Sequence, residues 1–247
     1  MDLSSNEGQI LVRDSDPAEK APDVPVGDVL VDQTGRPLGT RARQTRQRIL
    51  DATIAELASK PMRDLRVIDI ARRVGSSPAT FYQYFKDIED VVLRLAEQVS
   101  KLVPSALKMI DGEWEGPKGF ENAQDFIRIG FNIWDVNGPV LRVRNTASDE
   151  GDERFRDVRY RGVMPMINAF SAQIEASQAR ARESDTVDEG SDRQFGHVDP
   201  RVGGMLMFAL INRVSMSHRQ MVEAGFDHDK IVDTTAAIMQ FLLSSRK

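Results

Sequence analysis

Between Arg66 and Asp87 the chain reads RVIDIARRVGSSPATFYQYFKD. Two apolar patches at helical spacing flank a Gly-Ser-Ser-Pro break. Neither patch is long enough to be a stable helix alone, because nucleating a helix is costly and a turn or two returns little. The pattern predicts two short helices, over about 66–74 and 78–84, packed on a third over about 42–59, where Ile49, Ala52, Thr53 and Leu57 share a face. Ile70, Val74, Phe81 and Phe85 form a small common core against Ile49 and Leu57. Ala71 lets the helices cross closely, and Gly75 suits a left-handed helix exit. Ser77 caps the second helix, and Pro78 falls in its first turn, where a missing N–H costs nothing. The proline is a start signal.

Two short helices joined in this way form a helix-turn-helix, whose second helix enters the DNA major groove. The exposed positions of that helix are Pro78, Ala79, Thr80 and Gln83, and Ser77 at its cap is a further candidate DNA contact. Glutamine can pair bidentately with an adenine edge, while threonine and apolar groups meet a thymine methyl. Tyr82, Tyr84, Lys86 and Arg66 flank the helix and can reach phosphates. Upstream, Arg41 and Arg43 form a flexible arm able to enter a minor groove. Plainer readings stand beside these: half-buried surface aromatics for the tyrosines, a solvated tail for the two arginines.

Charge is distributed to match. The net charge is −5, yet residues 41–88 carry ten Lys/Arg against five Asp/Glu, while residues 1–40 carry three against eight and residues 89–247 twenty against twenty-five. One basic segment on an acidic chain is a docking surface for an anion or a solvated basic face. There is no cysteine, so disulfides and thiolate metal sites are excluded and a reducing, cytoplasmic setting is expected. No apolar run approaches the length of a membrane span, and MDLSSNEGQILVRDSD does not have the form of a secretory signal.

The remainder reads as helix, giving an all-α fold. Residues 1–40 are expected to be an acidic, disordered tail with a basic end, 41–88 the helix-turn-helix domain, and 89–247 a second, helical domain. The piece VPVGDVLVDQTG could pair as a hairpin with an unidentified partner. Helices are expected at about 88–102, then on to Ile110, and at 119–136, 138–148, 152–180 (kinked at Pro165), 200–224 and 228–245. Asp199 and Asp227 are the N-caps of the last two. Charged residues from about 179 to 198 form a loop.

At this point RQRILDATIAEL followed by VIDIARRVGSSPATFYQYFKD resembles the N-terminal DNA-binding domain of the TetR family of bacterial transcriptional regulators, over about residues 40–95. The resemblance implies a homodimer whose three N-terminal helices bind a palindromic operator in double-stranded DNA and whose C-terminal domain holds a small effector. It implies a repressor released by its ligand, with a ligand-dependent activator as the alternative. The family's phosphate-contacting tyrosine matches Tyr82 and its recognition-helix threonine matches Thr80. Three positions depart from the pattern: Pro78 replaces a frequent basic residue, Arg66 a capping Thr or Ser (leaving Asp64 as the cap), and Ile88 a lysine. Lys86 and Arg66 are placed to supply the missing charge.

In the last helix, Ile231, Thr235, Ile238 and Leu242 form one apolar stripe, and Val232, Ala236, Met239 and Leu243 a second. A helix apolar on two sides must bury both, so residues 200–245 are expected to pair with a second copy as a four-helix interface; a monomer burying both stripes internally is the alternative. Two recognition helices then reach successive grooves, about 34–36 Å apart. Candidate effector contacts are Phe126, Phe131, Trp134, Met164, Met166, Phe170, Met205, Phe208 and Asn212, with Arg142 and Asn145 bordering the cavity; each apolar one also serves as plain core. A mostly apolar lining with few polar groups fits an amphipathic or apolar organic effector. Movement of the helix at 88–102 would link that cavity to the DNA-binding unit.

Enzymatic function finds no support. His197, His218 and His228 lie far apart in sequence, and no metal-ligand spacing, nucleophile motif or phosphate loop is present, so no cofactor is expected. A helical protein-interaction module is the remaining rival, and it lacks sequence-selective, salt-dependent DNA binding.

Overall fold

Gly75 takes φ 69° and ψ 37°, the left-handed conformation, and this one residue turns the chain between two short helices. A computed structural model describes residues 31–184 and 198–244. Residues 1–30, 185–197 (most of the expected charged loop, with His197) and 245–247 lie outside it. Among the described residues there are nine α-helices: α1 Thr40–Ser59, α2 Val67–Val74, α3 Pro78–Tyr84, α4 Ile88–Ser100, α5 Val103–Ile110, α6 Gly116–Asp149, α7 Glu153–Ser184, α8 Pro200–Glu223 and α9 His228–Leu243. The only β-pairing among them is an isolated bridge between Val31 and Pro37. The all-α reading stands.

The chain divides into two compact units. The first runs through Glu97 and adds Pro139–Arg156; the second comprises Gln98–Gly138 and Asp157 onward.

In the first unit α1, α2 and α3 pack on one another. Ile49, Ile70, Phe81 and Phe85 are fully buried, and Leu50, Val91, Val92 and Leu95 join them. The guanidinium of Arg46 lies 5.0 Å over the Phe85 ring, a cation–π contact closing the core's edge. Lys60 bridges Glu56 of α1 (2.7 Å) and Asp69 of α2 (3.5 Å).

In the second unit one apolar cluster includes Ile127, Phe170, Ile174, Met207, Val232 and Met239. Asp199 caps α8 by accepting the Arg201 and Val202 N–H groups at 3.0 and 2.9 Å, and Asp227 caps α9 through Lys230 N–H at 2.9 Å. Both caps were expected from the sequence.

Several expectations need correction. The separate helices at 119–136 and 138–148 are one helix, α6, running through Pro139. An internal proline costs about 3 kcal/mol, but Phe131 and Trp134 before it and Val140 and Leu141 after it are all buried, which anchors each half. By contrast α7 continues through Pro165 as one helix, as the sequence led us to expect. Arg41 and Arg43 are not a flexible arm: they sit in the opening turns of α1, and Arg43 Nε donates to the Leu38 carbonyl at 2.9 Å. Residues 31–39 are not disordered tail but a closed turn, with Leu38 buried. Asp64 does not cap α2; it lies in a 3-10 turn over Met62–Asp64, and α2 starts after Arg66 with no side-chain cap.

Candidate nucleic-acid interface

The α2–α3 helix-turn-helix is built from local hydrogen bonds. At the end of α2, Gly75 N–H returns to the Arg72 carbonyl (3.0 Å) and Ser76 N–H to the Ala71 carbonyl (2.9 Å), which closes the helix around the left-handed glycine. Arg48 of α1 donates to the Val74 carbonyl, satisfying another terminal acceptor. Ser77 Oγ then accepts Thr80 N–H at 3.3 Å and lies 3.2 Å from Thr80 Oγ1. Pro78 is the first helical residue. The sequence placed all three of these residues in these roles.

Two faces of α3 result. Phe81 points inward with Phe85, their centroids 5.7 Å apart. Ser77, Pro78, Ala79, Tyr82 and Gln83 are exposed, with Thr80 and Tyr84 half-buried. Tyr82 stands edge-on to Phe81 at 5.6 Å and keeps 52% of its surface in solvent. The buried Phe81 ring packs against one edge of the phenol and leaves about half of the residue in solvent. Arg66 and Lys86, before α2 and after α3, are exposed as well. Lys86 N–H donates to Asp90 Oδ2 (3.0 Å) while Asp87 Oδ1 accepts Asp90 N–H (2.8 Å), a reciprocal cap that starts α4.

One feature of this helix-turn-helix was missed by sequence reasoning. Gln33 N–H donates to the Gln83 carbonyl at 3.0 Å, and Gln33 Nε2 donates to the Tyr84 carbonyl at 3.1 Å. Of the piece VPVGDVLVDQTG only residues 31–35 are among the described residues; they lie in a turn bridged by Val31 and Pro37, and the partner of that turn was not legible in the sequence.

The effector candidates fall in both units: Arg142 and Asn145 in the first, the others in the second. Within the second, Phe126 meets Phe170 edge-on at 5.7 Å, Met166 is buried, and Phe208 packs against the same cluster. Asn212 finds the partner its setting required, accepting from Trp134 Nε1 at 3.3 Å. Met164, Met205 and Arg142 are exposed, and the helical period puts Met207 inward in place of Met205. In the first unit Asn145 Oδ1 accepts from Arg144 Nε and Nη2 at 3.1 and 2.9 Å.

His218 and His228, distant in sequence, come together around Phe131. His218 stacks on that ring at 4.3 Å, with Nδ1 2.8 Å from the Ser215 carbonyl and Nε2 3.2 Å from Asp135 Oδ1. His228 meets the ring edge-on at 5.7 Å. Among the described residues no group of three or more His, Asp or Glu could hold a metal ion, and no helix is long and apolar enough to cross a membrane.

Comparison with known proteins agrees with this geometry. The family model described as bacterial regulatory proteins, tetR family, matches residues 49–95, and the one described as tetracyclin repressor-like, C-terminal domain, matches residues 107–223. Among solved structures, the fatty acid degradation regulator FadR from Bacillus halodurans is similar in fold, with a TM-score of 0.56 and 16% identity over 83% of this chain and 97% of that one. A TetR family transcription regulator from Marinobacter aquaeolei VT8 aligns with a TM-score of 0.50 and 20% identity, over 83% of this chain and 98% of that one. No curated protein matches the chain. With the helix-turn-helix core lying inside one matched region and all of α6 to α8 inside the other, the chain belongs to the TetR family of bacterial transcriptional regulators and is a DNA-binding protein, not an enzyme.

Proposed function

We propose that the protein is a ligand-released repressor that binds a palindromic operator as a homodimer, with α3 as its recognition helix. The observation that carries this is the division of α3: Phe81 is sealed in the core while Tyr82 and Gln83 beside it face solvent. Thr80 and Gln83 read bases, and Tyr82, Lys86 and Arg66 hold phosphates. Arg41 and Arg43 contribute from the start of α1, where cations work against the helix dipole and an external phosphate makes them favourable.

Dimerisation draws support from α8 more than from α9. Ile231, Thr235, Val232, Ala236 and Met239 are already buried within the protomer, so the first stripe of α9 is free only at Ile238 and partly at Leu242. On α8, Val202, Met205 and Leu206 share one face and stay at least half exposed. A cluster of this kind marks an interaction surface, here for α8 of a second copy.

The effector is an apolar or amphipathic organic molecule. Asn137 Oδ1 and Ser215 Oγ are buried in the second unit with no hydrogen-bond partner in the protein, and buried polar atoms of this kind find partners. Release follows if the ligand prefers the non-binding state; a swing from 1:99 to 99:1 needs about 5.5 kcal/mol of preference.

Selection of duplexes from a random-sequence pool by the full chain tests the reading. Inverted repeats with half-sites in successive major grooves are expected; recovery of unrelated sequences rejects it. Sedimentation of Leu206→Glu tests the interface: a dimer is expected for wild type and a monomer for the variant.

A further inference from the structure

The recognition helix is only seven residues long, Pro78–Tyr84. A helix of two turns leaves most of its terminal carbonyls without helical donors. Its start is held by Ser77. At its end Phe85 N–H takes the Phe81 carbonyl at 3.0 Å, which leaves the carbonyls of Tyr82, Gln83 and Tyr84 without helical donors, and two of the three are met from outside the helix. Both donors come from Gln33, one from its backbone and one from its side-chain amide.

The turn that carries Gln33 is itself tightly determined. Val31 and Pro37 bridge across it, and Asp32 N–H donates to the Arg36 carbonyl at 2.9 Å. Asp32 Oδ1 accepts three hydrogen bonds, from Thr34 N–H (2.8 Å), Thr34 Oγ1 (2.7 Å) and Arg36 N–H (3.0 Å). Gly35 supplies the left-handed residue the turn requires, at φ 82°. Beyond the turn Leu38 is buried, and Arg43 holds its carbonyl. The segment is thus fastened to α3 by Gln33 and to α1 through Leu38 and Arg43. These are the two helices that carry the proposed DNA contacts.

On the footing that α3 reads DNA, we infer that the Val31–Pro37 turn is a third element of the reading head and that Gln33 is a positioning residue for the recognition helix. It touches no base. It fixes the end of a helix too short to fix itself, and the set of α3 in the groove decides whether Thr80 and Gln83 meet base edges. Loss of the clamp therefore lowers sequence discrimination, while phosphate attraction by the arginines and Lys86 persists.

The test uses the full chain with two duplexes: one selected by wild type from a random pool, and the same sequence scrambled. In Gln33→Glu a carboxylate without a donor faces the Tyr84 carbonyl; in Asp32→Ala the turn loses its acceptor; Asp32→Asn retains one. Gln33→Glu and Asp32→Ala are expected to bind the selected duplex about tenfold more weakly while binding the scrambled duplex within about twofold of wild type. Asp32→Asn should stay near wild type on both. Amide exchange in unmodified protein gives a second readout, with Gln33 N–H expected to be protected. Wild-type affinity in both disruptive variants, equal losses on the two duplexes, or a freely exchanging Gln33 amide would overturn the inference and leave DNA reading by α3 intact. A wild type that selects no duplex removes both.

Discussion

Arg154 Nη2 lies 2.7 Å from Glu89 Oε2, joining the first turn of α7 to the first turn of α4 across 65 positions of the chain. Arg154 also grips Asp152, with Nη2 2.7 Å from Oδ2 and Nε 3.2 Å from Oδ1. These bonds, Asp152 first and Glu89 second, raise the guanidinium pKa above its usual value, and Arg154 in turn lowers that of Asp152. Both partners of the longer link are about half exposed, so solvent screens it. A double-mutant cycle of Arg154→Ala and Glu89→Gln in urea should give a coupling of about 0.5 kcal/mol that fades in high salt. A coupling that survives high salt undiminished would show that solvent does not reach the pair.

Phe81 and Tyr82 are neighbours with opposite expected behaviour. Phe81→Ala empties a fully buried site and should cost about 3–5 kcal/mol in denaturant unfolding. Tyr82→Ala removes a half-exposed ring and should cost about 1 kcal/mol or less. Similar losses at the two positions would mean that α3 does not have one buried and one free face.

How much of this could be read from the sequence depends on range. Gly75, Ser77 and Pro78 act on atoms within five residues of themselves, so residue type alone identified their roles. Gln33 acts on Gln83 and Tyr84, some fifty positions away, and nothing in VDQTG indicates that acceptor. The expected break near 137 did not occur, because the burial on either side of Pro139 that holds α6 together is tertiary. On α9 the stripes were correctly seen as apolar, but which of them the protomer buries depends on helices elsewhere in the chain. The three histidines looked unrelated for the same reason, although His218 and His228 meet at Phe131.

Two glycines should respond to alanine for different reasons. At Gly75 there is open space but positive φ, so Gly75→Ala should cost about 1–2 kcal/mol of backbone strain. At Gly204 a Cβ would fall 2.7 Å from the Ile167 carbonyl oxygen and 2.8 Å from Ser171 N, where α7 and α8 cross. Gly204→Ala must spread those helices and should cost about 1–3 kcal/mol. Thermal melts of both variants check this; an unchanged melting temperature for Gly204→Ala would contradict the close crossing.

The Asp32 turn should be acid-sensitive. The hydrogen bond from Thr34, then that from Arg36, lowers the Asp32 pKa below the ordinary aspartate value of 3.8. A depressed carboxylate stabilises the folded turn above pH 3.8 and loses that contribution as pH falls through the lower, folded-state value. Protection of the Gln33 amide should therefore persist at pH 5 and above and decline only in acid below the ordinary aspartate range. Loss of protection near neutral pH would contradict the assignment.

The central claim is that α3 reads sequence. Its most direct measurement is a gel-shift titration of wild type, Thr80→Ala and Tyr82→Ala on the selected duplex and its scrambled control, across a range of salt. Wild type should prefer the selected duplex by about a thousandfold or more, with affinity falling steeply in salt, and both variants should lose most of that preference. Equal binding of the two duplexes by wild type, or undiminished preference in both variants, would contradict it.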